Sequence, residues 1–176
     1  NGYRFDDFTP YVYMSDDYGQ TWKNIGNSIP TAAVNVIKED PTNENILYLG
    51  TDNGLYVSFN QGDSWEVFSK NLPNVAVHDL VIQPTAKHLI VGTHGRSLYK
   101  ADVANLQKMT SEILAKSTHI FNVSDVRASR NWGRSWSQWR DAYEPKITIP
   151  FYANSNRKAT VEVYHGAIKV NEMQVD

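Results

Sequence analysis

One motif that returns after 43 residues constrains the fold of this chain more than any other feature. Residues 15–22 read Ser-Asp-Asp-Tyr-Gly-Gln-Thr-Trp, and residues 58–65 read Ser-Phe-Asn-Gln-Gly-Asp-Ser-Trp. The same offset relates positions outside the motif, including Ile25 and Phe68, Pro30 and Pro73, and Pro41 and Pro84. A third copy is absent after Tyr99, where residues 100–102 read Lys-Ala-Asp. A repeat of this length is typical of folds in which one small unit recurs side by side.

Each repeat contains several short stretches that favour β-strands. These stretches are rich in branched and aromatic side chains and are bounded by Gly and Asn; they span 45–50, 55–58, 65–68, 75–82 and 88–93. Four short strands in about 40–50 residues are typical of one blade of a β-propeller. The alternative, a two-layer sandwich, gives no reason for a motif at a fixed interval. We therefore predict an all-β fold built from propeller blades.

The motif has the composition of a tight turn. Its hydroxyls and carboxylate can bond the turn backbone, and its Gly supplies a positive φ. Trp22 and Trp65 then start the next strand, where each can fill the wedge between two blades. A calcium loop is the alternative, but the spacing of Asp16, Asp17 and Gly19 does not fit the calcium-loop pattern. We predict structural roles and no metal. The motif residues are Ser15, Asp17, Gly19, Thr21 and Trp22, and in the second copy Ser58, Asn60, Gly62, Ser64 and Trp65.

The composition excludes several functional classes. The chain has 17 Lys and Arg against 19 Asp and Glu, a net charge of −2, which leaves no basic footprint for nucleic acid. It has no cysteine, which excludes disulfides, thiolate zinc sites and cysteine nucleophiles. No apolar run approaches the roughly 18–20 residues of a membrane span. We predict no cofactor and no nucleic-acid partner. Because the sequence opens at Asn1 without an initiator Met, we expect an internal piece of a longer chain.

The motif resembles the Asp-box, also called the BNR repeat, with the pattern S-x-D-x-G-x-[ST]-W. The first copy matches this pattern fully, and the second has Asn60 in place of the aspartate. Wider stretches resemble a group of large bacterial sortilin-like proteins, which are commonly labelled glycosyl hydrolases by their BNR repeats. Those stretches are 2–11, 71–73 and 92–97.

In such propellers each blade runs from an inner strand A to an outer strand D, and the Asp-box joins strands C and D. The resemblance therefore implies strands C and D of one blade in 11–25, a complete blade in 34–68, and strands A to C of a last blade in 75–102. About two and a half blades fall short of the roughly four that a closed propeller needs. The remaining blades of the parent chain are thus a predicted partner. The resemblance also implies a secreted, periplasmic or cell-surface protein of a bacterium.

We predict three regions along the chain. Residues 1–126 form the end of the propeller, with short helices at about 103–116. Residues 127–144 form a linker rich in Trp and Arg, and residues 145–176 begin a β-sandwich of the immunoglobulin or fibronectin type. The linker tryptophans are predicted to plug an interdomain space, in preference to forming a stacking platform for sugars or bases. They are Trp132, Trp136 and Trp139.

Some finer expectations concern the second half of the chain. Asp102 and Thr110 are predicted to cap the two short helices. Residues 118–123 are predicted to complete the last blade as a strand. Residues 154–157 are predicted to form the turn between two sandwich strands.

Charged residues recur at one topological position. If the blade assignment holds, the loops between strands B and C open on the face opposite the Asp-boxes, where propellers usually carry ligands. The candidate ligand-binding residues in these loops are Arg4, Asp6, Asp7, Asp52, His94 and Arg96. An arginine can pair bidentately with a carboxylate of a ligand. The alternative is a set of solvated loop tips with local salt bridges.

Two functions fit these features. One is binding of a peptide, protein or glycan ligand by a sortilin-like propeller. The other is a glycoside hydrolase, sialidase-like or glucanase-like, with catalytic carboxylates at the channel mouth and partly outside this segment. The sequence lacks the Arg-Ile-Pro segment of sialidases, the H-E-x-x-H metal motif and the G-x-S-x-G elbow. We therefore assign no catalytic residue, and whether the protein is an enzyme stays open at this point.

Overall fold

The computed structural model describes residues 2–135, 137–155 and 158–175. These residues form several small antiparallel sheets and very little helix, which confirms the all-β prediction. Within the described part of the chain, no helix has the length and apolar character needed to cross a membrane.

The chain divides into two compact units, Asn1–Met109 and Thr110–Asp176. The strands of the first unit are β1 Tyr13–Met14, β2 Lys23–Asn24, β3 Val34–Glu39, β4 Leu47–Thr51, β5 Gly54–Ser58, β6 Glu66–Val67, β7 Val77–Gln83, β8 His88–Thr93 and β9 Leu98–Asp102. They form sheets of two strands (β1 and β2), four strands (β3 to β6) and three strands (β7 to β9), in which each strand pairs with the next in the chain. This meander is consistent with part of a propeller. The domain boundary predicted after residue 126 stays a prediction.

The sequence repeat returns in the register of the sheets. Tyr56 on β5 and Tyr99 on β9 occupy equivalent positions opposite β4 and β8. The first strand of each sheet is irregular at the same place, around Asn35 in β3 and around His78 in β7. Such an irregularity re-aims a side chain, and it gives the two repeats the same local shape at the start of their sheets.

The four-stranded and three-stranded sheets pack over one apolar cluster. Its buried members are Ile46, Tyr48, Leu55, Val57, Val77, Leu80, Leu89, Val91 and Val103. Every residue of β4 and β5 is buried, including the polar Thr51 and Ser58. A Cβ atom added to Gly50 would lie 2.5 Å from Val77 Cγ1, so glycine is needed for β7 to approach β4 this closely.

A buried carboxylate fixes the turn between β3 and β4. Asp40 is 2% exposed and accepts hydrogen bonds from the backbone N–H of Thr42 at 2.9 Å and of Asn43 at 3.2 Å. The side-chain amide of Gln107 donates to the two carboxylate oxygens of Asp40 at 3.1 and 3.0 Å. Burial raises the pKa of the Tyr48 hydroxyl, and the Asp40 carboxylate 3.4 Å away raises it further. These bonds hold the segment that follows β9 against this turn.

A 3₁₀ turn follows β9 at Leu106–Lys108. Its N-cap is Asn105, so the predicted cap at Asp102 was wrong. Asp102 is still part of β9, where it pairs with His88, and its carboxylate accepts from the backbone N–H of Ala104 at 2.9 Å. The helical turn therefore begins only after the chain has left the sheet.

The second unit opens with α1, Ser111–Leu114. The hydroxyl oxygen of Thr110 accepts from the backbone N–H of Ile113 at 3.3 Å, which confirms the predicted N-cap. At the other end of this short helix, the hydroxyl of Tyr152 donates to the carbonyl oxygen of Leu114 at 3.2 Å. The helix is thus fixed at both ends by side chains.

The remaining strands of the second unit form two antiparallel pairs. β10 (Thr118–Ile120) pairs with β11 (Phe151–Ala153), and β12 (Ala159–His165) pairs with β13 (Ile168–Val175). The prediction that residues 118–123 complete the sheet of β7 to β9 was wrong, because β10 takes its hydrogen-bonded partner from β11. The β-sandwich stays a prediction.

The linker tryptophans are partly described. Trp132 is 38% exposed and Trp139 is 86% exposed, while Trp136 lies outside the described residues. Asn156 and Arg157 of the predicted turn also lie outside them. The interdomain plug therefore stays a prediction.

Candidate functional site

The first copy of the motif closes a turn with its own side chains. Ser15 Oγ donates to Asp17 Oδ1 at 2.8 Å and accepts from the backbone N–H of Gly19 at 2.7 Å. Asp17 also accepts from the backbone N–H of Thr21 at 2.8 Å and from its hydroxyl at 2.6 Å. These bonds, that of the Thr21 hydroxyl foremost, lower the pKa of Asp17 to about 2. The carboxylate is thereby committed to the turn.

The second copy closes the same turn with an amide in place of the carboxylate. Asn60 Oδ1 accepts from Ser58 Oγ and from the backbone N–H of Ser64, both at 2.9 Å. Its Nδ2 donates to Ser64 Oγ at 2.9 Å, so this bond runs in the opposite direction from its counterpart in the first copy. Gly62 donates to Ser58 Oγ at 2.8 Å and has a φ of 87°, as the first-copy glycine does. Asparagine thus keeps the geometry and removes the charge.

The two motif tryptophans differ in burial. Trp65 is 9% exposed and donates its indole N–H to the carbonyl oxygen of Ile25, in the neighbouring repeat, at 2.6 Å. It shares a buried cluster with Val12, Ile25, Ile29, Leu47, Leu49 and Tyr56. Trp22 is 63% exposed and donates to the carbonyl oxygen of Gly19 in its own turn at 3.1 Å. The predicted wedge therefore describes Trp65.

Both motif turns lie at one end of the first unit. Lys23, directly after the first turn, pairs with Asp63 in the second turn at 2.5 Å. Both side chains are more than half exposed, so this pair marks the position of the turns and adds little stability. The second turn follows the last residue of β5. The first residue of β5 therefore lies toward the other end of the unit.

Two hairpin turns meet at that other end. Gly50, near the end of β4, packs against Val77 at the start of β7, and Val77 pairs with Thr93 at the end of β8. The turn between β4 and β5 therefore lies beside the turn between β8 and β9. We call this surface, residues 52–53 and 94–97, the hairpin rim. It carries three of the predicted binding residues, which are Asp52, His94 and Arg96.

The backbone holds two of these residues in equivalent places. The backbone N–H of Asp52 donates to Ala33 O at 3.0 Å, and that of His94 donates to Ala76 O at 2.9 Å. Asp52 is half-buried, whereas His94 and Arg96 are exposed. The rim thus carries one half-buried carboxylate, one exposed imidazole and one exposed guanidinium.

Two further residues support the rim. Asn35 Nδ2 donates to Asp52 Oδ1 at 2.8 Å. The ring of His78 lies 5.1 Å from the ring of His94 between centroids, at an angle of 33°. Neither Asn35 nor His78 is among the predicted site residues, because they lie in the strands β3 and β7 and not in the loops between strands B and C. Their separation of one repeat, 43 residues, is the signal that could have found them.

The other predicted residues belong to the loop before β1. Asp7 accepts from the hydroxyl of Tyr11 at 2.6 Å and from the backbone N–H of Thr9 at 3.0 Å, and these bonds, that of Tyr11 foremost, lower its pKa. The same bond to Asp7 raises the pKa of Tyr11. Arg4 and Asp6 are exposed, and Asp6 has a positive φ of 58°. Asp7 therefore shapes its own loop, while the side chains of Arg4 and Asp6 lie at the surface of that loop.

The chemistry of the rim is that of polar recognition. A carboxylate accepts hydrogen bonds, a guanidinium donates in a fork, and a neutral imidazole does both. Across the residues that the structure describes, no cluster of three or more His, Asp or Glu side chains could hold a metal ion. The described side chains can thus bind a ligand that carries both acceptors and donors.

Comparison with known proteins places these features in a family. The Sortilin-Vps10 family model, described as sortilin, neurotensin receptor 3, matches residues 10–165. This match confirms the resemblance drawn from the motif. A crystal structure of an ancestral GH74 enzyme is similar over 51% of this chain, with 26% sequence identity and a TM-score of 0.45; the similarity spans 11% of that enzyme chain. No curated protein sequence matches.

Proposed function

Because the chain belongs to the Sortilin-Vps10 family, we propose that its first unit is part of an Asp-box propeller that binds a peptide, protein or glycan ligand at the hairpin rim. About two and a half blades fall within the chain, and the remaining blades of the parent protein complete the ring. The motif turns are structural in this proposal. The ligand meets the opposite end of the unit.

The contrast between the two ends carries the proposal. At the motif end, the side chains of Asp17 and Asn60 bond within their own turns. At the rim, His94 and Arg96 are exposed in a short turn, and the strands on either side of it, β8 and β9, pair with each other. Exposed polar groups on a rigid support lose little entropy when they bind a ligand.

The chemistry of the rim favours a ligand with a carboxylate or several hydroxyl groups. Arg96 can pair with a carboxylate through two parallel hydrogen bonds. Asp52, oriented by Asn35, can accept from an amide or hydroxyl of the same ligand. Peptides and glycans both carry such groups.

We extend the site to Arg4, Asp6 and Asp7. Their loop precedes β1 as residues 52–53 precede β5, and the first motif turn follows β1 as the second follows β5. The same chain direction in neighbouring sheets would bring this loop to the rim. At most Arg4 and Asp6 would meet the ligand, since Asp7 is bonded to Tyr11 and Thr9.

The setting of the protein follows from the family in this proposal. We place it outside the cytoplasm, as a secreted, periplasmic or cell-surface protein. We assign residues 1–126 to the propeller, 127–144 to a linker and 145–176 to the start of a β-sandwich. Pairing of β12 with β13 supports the last assignment, since antiparallel hairpins are the units of such sandwiches.

Glycoside hydrolysis is the alternative function. It requires two carboxylates on either side of one sugar bond, about 5–5.5 Å or about 6.5–9.5 Å apart. The rim supplies Asp52, and Asp6 is the carboxylate that the neighbouring loop could add. In this alternative the rim would cleave the ligand that it binds.

A selection experiment tests the proposal. Peptides would be selected from a displayed random library on the purified chain, and β-1,4-linked glucose oligosaccharides would be assayed in parallel. We expect one of these probes to bind, and Arg96→Ala and Asp52→Ala to weaken binding at least about tenfold. Trp22→Ala, at the motif end, is the matched control and should leave the affinity within about twofold.

Two outcomes would contradict the proposal. If wild type, Arg96→Ala and Asp52→Ala bind the probe with equal affinity, the ligand does not bind at the rim. The second outcome is release of reducing sugar from the oligosaccharides by wild type and Trp22→Ala but not by Asp52→Ala. It would show that the function is hydrolysis and not binding alone.

A further inference from the structure

A cavity of about 270 Å³ opens between the four-stranded and three-stranded sheets, beside β9. Its apolar lining consists of Leu55, Phe68, Leu72, Val91, Tyr99 and Ala101. It lies in the last repeat, where the motif and its tryptophan are absent from the sequence. The polar residues of the hairpin rim take no part in it.

The cavity is the counterpart of the space that Trp65 fills one repeat earlier. The residues Leu55, Phe68, Leu72, Val91 and Tyr99 correspond, in that order, to Val12, Ile25, Ile29, Leu49 and Tyr56. All five of these earlier residues share the buried cluster of Trp65. The last repeat has therefore kept the walls of a tryptophan site and supplies no tryptophan of its own.

The edge of β9 offers the same backbone acceptor that binds the outer strand in the two earlier sheets. Ile25 donates its backbone N–H to Val12 O at 2.9 Å, and Phe68 donates to Leu55 O at 2.8 Å. Both bonds attach the outer strand of a sheet to the strand before it. The equivalent carbonyl in the last sheet belongs to Leu98, which is 71% exposed. Within the described residues β9 is the edge of its sheet.

We propose that this cavity and the edge of β9 bind an extended segment of a partner protein, with a tryptophan side chain in the cavity. The segment would add to β9 as a fourth strand, a general mode of peptide recognition in which the backbone gives affinity and a pocket gives specificity. The indole N–H would donate to the carbonyl oxygen of Phe68, as Trp65 donates to that of Ile25. The volume lies below the roughly 300–1,000 Å³ of pockets for drug-sized molecules, which suits a single side chain.

Two charged residues at the mouth of the cavity restrict which partner sequences would fit. Lys70 and Lys100 also line it, and both are exposed. They favour an acidic residue next to the tryptophan. The apolar position of Phe68, three residues after Trp65, favours an apolar residue at the same distance. The partner segment is thus Trp, an acidic residue, any residue, and then an apolar residue, the pattern of residues 65–68 in this chain.

A synthetic peptide with the sequence of residues 58–72 provides the probe. It would be labelled with fluorescein and titrated with the purified chain, and its anisotropy would be measured. We expect saturable binding, and binding at least about tenfold weaker for the same peptide with Trp65→Ala. Both peptides meet the same wild-type protein, so this comparison does not depend on the folding of a variant.

Two protein variants locate the site. Ala101→Phe places a ring in the cavity and should weaken the peptide at least about tenfold. Ala86→Phe makes the same change in the exposed turn between β7 and β8 and should leave the affinity unchanged. Equal binding of the two peptides, or no binding of the wild-type peptide, overturns the proposal. So does unchanged binding by folded Ala101→Phe; should that variant not fold, the peptide pair decides alone.

Discussion

The indole N–H of Trp65 donates to the carbonyl oxygen of Ile25 at 2.6 Å, although 40 residues separate the two in the chain. The bond joins neighbouring sheets, and the indole is 9% exposed. Trp65 therefore ties one repeat to the next through both a hydrogen bond and apolar burial. Trp22, at the same motif position, bonds only within its own turn and is 63% exposed.

This difference predicts unequal effects of two identical substitutions. Trp65→Ala should destabilise the chain by about 3–5 kcal/mol, the usual range for truncating a buried large aromatic. Trp22→Ala should change stability by about 0.5 kcal/mol or less, as exposed positions do. Urea unfolding of the two variants and the wild type measures both values. Equal losses would show that burial of the two rings is the same in solution.

The stability of the motif turns should depend on pH where the central residue is Asp and not where it is Asn. The pKa of Asp17 is lowered from 3.8 to about 2, so the stability it contributes is complete above about pH 4 and is lost as the pH falls towards 2. The stability difference between wild type and Asp17→Asn should therefore shrink over that interval. Asn60→Asp is the reciprocal variant and should gain a contribution above about pH 4 that disappears by about pH 2. Unfolding curves across this range check both; a difference independent of pH would show that Asp17 is not held by Thr21.

Two equivalent glycines predict opposite tolerance to alanine. A Cβ at Gly50 would lie 2.5 Å from Val77 Cγ1 and 2.8 Å from Val36 Cγ1, so Gly50→Ala should cost about 1–3 kcal/mol through overpacking. At Gly92, its repeat equivalent, the nearest atom would lie 3.5 Å away, an ordinary contact. Gly92→Ala should therefore be neutral or slightly stabilising. Thermal unfolding of both variants provides the measurement, and the reverse order would contradict the packing of β7 on β4.

Replacing the buried Asp40 should lower the free energy of unfolding more than replacing the exposed Asp63. Asp40→Ala removes a buried acceptor and leaves the donors of Thr42, Asn43 and Gln107 without their partner, which should cost about 1–3 kcal/mol. Asp63→Ala removes only the exposed pair with Lys23 and should cost about 1 kcal/mol or less. Chemical denaturation compares the two. A smaller loss for Asp40→Ala than for Asp63→Ala would mean that this turn is open in solution.

The repeat in the sequence predicts much of the first unit. A fixed interval favours equivalent surroundings at equivalent positions, and in both motif turns the glycine N–H donates to the first serine hydroxyl for that reason. The prediction for Trp22 differs from the structure because burial needs a neighbouring repeat, which no local pattern specifies. The cap at Asp102 was wrong because strand pairing with His88 outweighs a local helix signal.

The second unit is harder to predict. Residues 118–123 have strand composition, but composition does not say which strand they pair with, and β10 pairs with β11 across a long separation in sequence. At the rim, the repeat relates Asn35 to His78 as it relates Asp52 to His94, but the approach of Asn35 and His78 to the rim depends on the irregularity in β3 and β7. Such irregularities depend on the register of two strands, and a single sequence does not fix that register.

Amide chemical-shift changes on ligand binding test most directly whether the two ends of the first unit have different roles. Nitrogen–proton correlation spectra of the labelled chain would be recorded with and without a peptide selected from the random library. We expect the largest changes at the hairpin rim, residues 52–53 and 94–97, and none above noise at the motif turns, residues 15–22 and 58–65. Changes concentrated in the motif turns, with the hairpin rim unaffected, would contradict the assignment of the ligand to the rim and of a structural role to the motif.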